Sequence, residues 1–243
     1  MNKKRTRRGK KIRNKLQKFK VWYQNIRGLK SKMDSLLERI EEGKPTVVCI
    51  TETHLLKSDN LEIEGYKIYR NDRDNFGGGI MIAVSESIKN VCTIVVKENI
   101  VGETMWMVVD NTKIKIRIGV VYAPQESRTK KKQYKELYER VEKQIDEARE
   151  RGQKLMILGD FNCKIGDAIP GNKPEVSKSG KLMKQMVKKQ KLSILNSIDV
   201  CEGTWTRTEG DSKSIIDYVL MWKEEPSLTL DFTFLTLLLI ALF

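Results

Sequence analysis

The chain has 243 residues, with 46 Lys+Arg against 32 Asp+Glu, four cysteines and one histidine, His54. That length suits one large domain or two small ones, and 40% apolar with 32% charged residues is a globular composition, neither low-complexity nor a disulfide scaffold. A single histidine excludes a zinc site built on two or three His ligands, and any relay of histidines.

The net charge of +14 is unevenly spread: residues 1–20 hold seven Lys and four Arg and no acidic residue. Such a run self-repels and has little apolar surface to bury, which predicts a disordered basic arm suited to nucleic acid or nuclear import. The rest, close to neutral, reads as a domain over 21–222 followed by an apolar tail over 223–243. No apolar stretch follows the first charges, so a nuclear or cytoplasmic protein that is not secreted is expected. Cys49, Cys92, Cys163 and Cys201 form no CxxC pair and read as free thiols, Cys49 as a small hydrophobe.

In chain order, Phe19–Gln24 reads as a strand entering the turn Asn25–Gly28. A helix opens at Ser31, with Met33, Leu36, Leu37 and Ile40 at helical spacing, and Gly43 and Pro45 end it. Thr46–Thr51 is a short buried strand; Gly65–Arg70 and Gly79–Val84 are two more, with the turn Gly77–Gly79 between them. Strands follow over Val91–Val96, Thr104–Val109 and Lys113–Tyr122, with Asp110–Asn111 as a hairpin turn. Residues 128–151 form the longest helix, its buried stripe running through Tyr134, Leu137, Tyr138, Val141, Ile145 and Ala148. Lys154–Leu158 is a buried strand, a loop covers 166–178, and Leu182, Met183, Met186 and Val187 mark a short helix. Leu192–Leu195 and Ser214–Met221 are the last strands expected. Mostly antiparallel-looking strands with a few amphipathic helices predict an α+β protein, a four-layered α/β/β/α sandwich.

The last twelve residues are uncharged, but as a helix they would span only about 18 Å against a hydrocarbon core of about 30 Å. A membrane partner is therefore not expected, and the tail reads as foreign to the domain.

Several polar residues stand at strand ends where packing alone would not put them. Asn25 follows the first strand, Glu52 closes an apolar one, Tyr122 ends another, and Asp160 and Asn162 follow a fourth. Asp217 is flanked by Ile215, Ile216, Tyr218 and Val219. Singly, Asn25 reads as a turn former and Asp160 as a strand-end cap, but a lone carboxylate in an apolar strand costs several kcal/mol unless paired. Together these carboxylates and amides are a donor set that Mg²⁺ would choose.

The segments WYQNIRGL (22–29), TETHL (51–55), VYAPQ (121–125), GDFNCKIG (159–166), TWTR (204–207) and SIIDYVL (214–220) stand in the order of one superfamily. Over residues 20–222 the chain resembles the endonuclease/exonuclease/phosphatase superfamily, and most of all the apurinic-like endonuclease domain of LINE-type non-LTR retrotransposons. The resemblance implies the deoxyribonuclease-like sandwich, without its last strands, and Mg²⁺- or Mn²⁺-dependent nicking of DNA. It implies Glu52 as principal metal ligand with Asn25 beside it, and Asp160 orienting or deprotonating the attacking water. Asn162 would hold the nucleophile or the phosphate oxygens, and Tyr122 would hydrogen-bond the phosphate. Asp217 matches the aspartate that orients a catalytic histidine. The family's Ser-Asp-His segment has no counterpart here, which implies impaired turnover. His54, two residues after Glu52, would touch a phosphate, and Gln125 stands where the family often has Asn. Two other readings stand beside this one: a non-enzymatic nucleic-acid-binding remnant, and a member acting on a phosphoinositide or a nucleotide 3′ end.

Overall fold

A computed structural model describes residues 19–223 apart from 75–76, 99–102, 113–114, 169–173, 196–206 and 210–211, together with 235–239. All but the last two residues of the basic arm, and Cys201, lie outside them. The elements are β1 (Phe19–Asn25), α1 (Met33–Gly43), β2 (Val47–Thr51), β3 (Tyr66–Asn71), β4 (Ile80–Ser85), β5 (Cys92–Glu98), β6 (Glu103–Asp110) and β7 (Lys115–Tyr122). They continue with α2 (Lys131–Glu150), β8 (Lys154–Asp160), α3 (Lys178–Lys189), β9 (Leu192–Ile194), β10 (Arg207–Glu209), β11 (Ser212–Ser214), β12 (Asp217–Trp222) and β13 (Leu235–Leu239).

One sheet has the order β13-β1-β2-β4-β3 and the other β5-β6-β7-β8-β12-β9, with β10 and β11 as a separate hairpin. The pairing is mixed: β1 is parallel to β2 and to β13, and β7 to β8. Antiparallel-looking sequence runs hid this, because strands buried on both faces are apolar at successive positions and carry no mark of direction.

Side-chain alternation assigns the central strands two buried faces. Val21, Tyr23, Val47, Cys49, Ile80 and Ile82 of the first sheet pack against Met105, Met107, Ile118, Val120, Met156, Leu158, Val219 and Met221 of the second. The alternate residues face outward. Trp22, Val48, Ile50, Met81 and Ala83 receive Leu36 and Ile40 of α1. Trp106, Val121, Leu155, Ile157 and Leu220 receive Leu137, Val141 and Ile145 of α2 and Met183 of α3. The result is the four-layered α/β/β/α sandwich.

One expectation changes. The Ser214–Met221 strand is broken at Ile215–Ile216, so β12 begins at Asp217; the Ile216 carbonyl instead accepts the Phe161 N–H at 2.9 Å. In the C-terminal segment, Leu235–Leu239 lies beside β1 in the register Phe19↔Leu235 to Tyr23↔Leu239. Among the described residues no helix is long and apolar enough to cross a membrane. Cys49, Cys92 and Cys163 are free and buried.

The outer face of β7 carries a buried charged residue, Arg117, which is 2% exposed. Its Nε donates to Gln153 Oε1 at 2.9 Å, and its Nη1 to Gln144 Oε1 and to Glu147 Oε2, the latter at 2.9 Å, which pins α2 to the sheet. Replacing Arg117 with alanine leaves two buried amides without their donor, and is expected to cost about 2–3 kcal/mol in urea unfolding.

Candidate active site

The apolar stripe between the sheets turns polar in its last rung. Extending the inward alternation by two residues leads from Met105 to Glu103, from Val120 to Tyr122, from Leu158 to Asp160 and from Val219 to Asp217. These four stand directly opposite one another: Glu103↔Tyr122, Tyr122↔Asp160 and Asp160↔Asp217. On the facing sheet the same extension leads to Asn25 and Thr51, which are paired in register. Gly159 allows the close approach of β7 and β8 here, since a Cβ on it would collide with the Val121 carbonyl.

The two sides are joined by hydrogen bonds. Asn25 Nδ2 donates to Glu52 Oε1 and to Asp160 Oδ2, both at 2.8 Å. Asp160 Oδ1 accepts the Asn162 N–H at 2.8 Å, and Asn162 Nδ2 donates to the Ala123 carbonyl at 2.8 Å. The Tyr23 hydroxyl donates to Asp217 Oδ1 at 2.7 Å and lies 3.0 Å from Thr51 Oγ1. Asn25, Glu52, Asp160 and Asn162 thus form one connected group, with Tyr122 beside Asp160 on the neighbouring strand.

Burial and crowding set the electrostatics. Asp160 is held well above the usual carboxylate range, first by desolvation and then by the neighbouring charge of Asp217. Tyr122 is raised by burial and by the Glu52 and Asp160 carboxylates, so its hydroxyl stays a neutral donor. Among the described residues no lysine or arginine pairs with Glu52 or Asp160.

Glu52, His54 and Asn162 all take left-handed backbone conformations, with φ of 55°, 53° and 45°. A non-glycine residue there costs on the order of 1–3 kcal/mol and persists only where its surroundings over-determine it. β2 stops at Thr51, and a loop brings His54 Nε2 to 3.5 Å from Glu52 Oε2. His54 therefore stands at Glu52, while Tyr23 stands at Asp217.

Sequence reasoning passed over Tyr23, Thr51 and Glu103. The legible signal was the period-two stripe itself, which holds Tyr23 and which Thr51 and Glu103 each extend by one inward position. Beside Asn162 a cleft of about 580 Å³ opens, lined by Gln125, Glu126, Lys164, Ser177 and Ser214 among others.

Among the described residues no cluster of three or more His, Cys, Asp and Glu side chains is arranged to hold a metal ion. The hard donors that converge are two carboxylates, Glu52 and Asp160, sharing the Asn25 amide. That set suits a small oxygen-seeking dication that keeps waters of its own.

The chain belongs to the Endonuclease/Exonuclease/phosphatase family, whose model matches residues 22–228. Among solved structures, a 3′-5′ exonuclease from Neisseria meningitidis superposes with a TM-score of 0.62 at 18% identity, over 83% of this chain and 85% of that one. The endonuclease domain of TRAS1, a telomere-specific non-LTR retrotransposon, gives 0.59 at 17% identity over 84% of each chain. An AP endonuclease from Archaeoglobus fulgidus gives 0.58 at 13% identity, over 83% of this chain and 85% of that one. No curated protein matches the sequence. The family and the shared fold agree with each other.

Proposed function

We propose that the chain is a divalent-metal-dependent phosphodiesterase of retrotransposon origin that nicks DNA, with a turnover reduced by the loss of the histidine beside Asp217. The observation that carries this reading is the Asn25 amide held between the Glu52 and Asp160 carboxylates at the mouth of the sandwich. Glu52 and Asn25 would hold Mg²⁺ or Mn²⁺, which supplies charge stabilisation to the phosphate as it gains negative charge.

The chain's own residues do the rest. Asp160, its proton affinity raised by burial, is a better base toward an attacking water than an ordinary aspartate. Asn162, fixed by the Ala123 carbonyl and bonded to Asp160 through its own N–H, keeps that carboxylate oriented. Tyr122 donates its hydroxyl proton to a phosphate oxygen as a hydrogen bond. The basic arm at 1–20 adds sequence-independent attraction to the DNA backbone.

Incubating the purified chain with supercoiled plasmid and Mg²⁺ tests the reading. Slow conversion to open circles, stopped by EDTA, is expected. Nicking as fast as an intact family member assayed alongside would refute the loss of turnover. Binding with no nicking at any metal concentration would favour the non-enzymatic remnant.

A further inference from the structure

One buried carboxylate of the polar rung has no part in that scheme. Glu103 is 1% exposed, and isolating a carboxylate at such depth costs several kcal/mol unless it is paired and hydrogen-bonded. Here it is both. Its Oε2 accepts the Gly79 N–H at 2.7 Å, and its Oε1 accepts Nε of Arg73. Gly78, at φ 71°, makes room for this pair, since a Cβ there would run into both the carboxylate and the guanidinium. The glycine run at 77–79, read from sequence as a turn, is also the cradle of an ion pair.

The pair leaves most of Arg73 unused. Only Nε is bonded, no second hydrogen-bond partner stands at the guanidinium among the described residues, and the side chain is 35% exposed. Its Cζ sits 5.7 Å from the centre of the ring of Tyr122, the residue whose hydroxyl is assigned to the phosphate. A planar fork of donors held in this way matches the oxygens of a phosphodiester, which a lysine would meet only as a point charge.

We infer that Arg73 is a phosphate-binding residue of this crevice, contacting the nucleic-acid backbone through its Nη groups, and that Glu103 is the positioning residue that aims it. The inference rests on the reading of the crevice as a phosphodiesterase site.

The test uses the full chain in EDTA and fluorescence anisotropy with a labelled DNA duplex of about 12 base pairs, titrated between about 50 and 200 mM salt. Arg73→Ala weakens binding about tenfold and lowers the slope of log affinity against log salt by about 0.9, the value of one phosphate contact. Arg73→Lys restores the slope because the charge returns. Arg73→Gln keeps a donor for Glu103 and repeats the measurement if the alanine variant does not fold. Wild-type binding with an unchanged slope in the alanine or glutamine variant overturns the role of Arg73 alone. A wild-type chain that does not bind the duplex overturns the reading of the site, and this inference with it.

Discussion

Glu52→Gln is expected to lower Mg²⁺-dependent plasmid nicking by at least about a hundredfold, roughly 2.7 kcal/mol of transition-state stabilisation. Glutamine keeps the volume and can still accept from Asn25, but it removes one of the two carboxylates that converge on that amide. The Glu52 side chain is 18% exposed and its neighbours are polar, so the fold has little stake in its charge. The melting temperature of the variant should stay within about 2 °C of wild type. Residual nicking equal to wild type, with an unchanged requirement for the metal, would remove Glu52 from the site.

The second large effect runs in opposite directions for stability and activity. Asp160 is 2% exposed and faces Asp217 across the strand pair, so the fold carries a carboxylate it would rather hold protonated. A group whose folded pKa lies above its unfolded value withdraws stability as pH climbs from the ordinary carboxylate range toward the raised folded one. Without metal, the melting temperature of the wild-type chain should therefore fall over that climb. Asp160→Asn removes the titrating group while keeping an oxygen for the Asn162 N–H. The variant should be about 1–2 kcal/mol more stable near neutral pH, or some 2–6 °C in melting temperature, with a flatter pH profile and no detectable nicking. Thermal melts in EDTA across the pH range measure the first part and the plasmid assay the second. A less stable Asp160→Asn, with the pH slope intact, would mean that some other group carries the dependence.

Much of this was legible in the sequence because the two sheets print their alternation on the strands. Met33, Leu36 and Ile40 disclosed the α1 face, and the stripe from Tyr134 to Ala148 disclosed α2. Asn25, Glu52, Tyr122, Asp160 and Asn162 announced themselves as polar groups at the ends of apolar runs. What stayed hidden had physical causes. Strand direction leaves no trace in a doubly buried run, so the parallel pairs β1–β2 and β7–β8 were not foreseen. Asp217 seemed to lie within a strand because Ile215 and Ile216 are apolar, yet they pass beneath the site as connecting chain. Glu103 drew no reading from the sequence, and only the facing strands show that it continues an inward row. Tyr23 sat in plain view among core residues, and its hydroxyl partner Asp217 lies 194 positions away.

The polar rung has an evolutionary corollary. Glu103, Tyr122, Asp160 and Asp217 come from four neighbouring strands, and their alignment is nothing other than the backbone pairing of those strands. Inserting or deleting one residue inside β8 would swing Asp160 to the helix-covered side and bring Gly159 or Phe161 into its place. A side chain at the rung can therefore be exchanged for another without disturbing the scaffold. A change of length in a loop leaves this row in step, whereas one inside these strands does not.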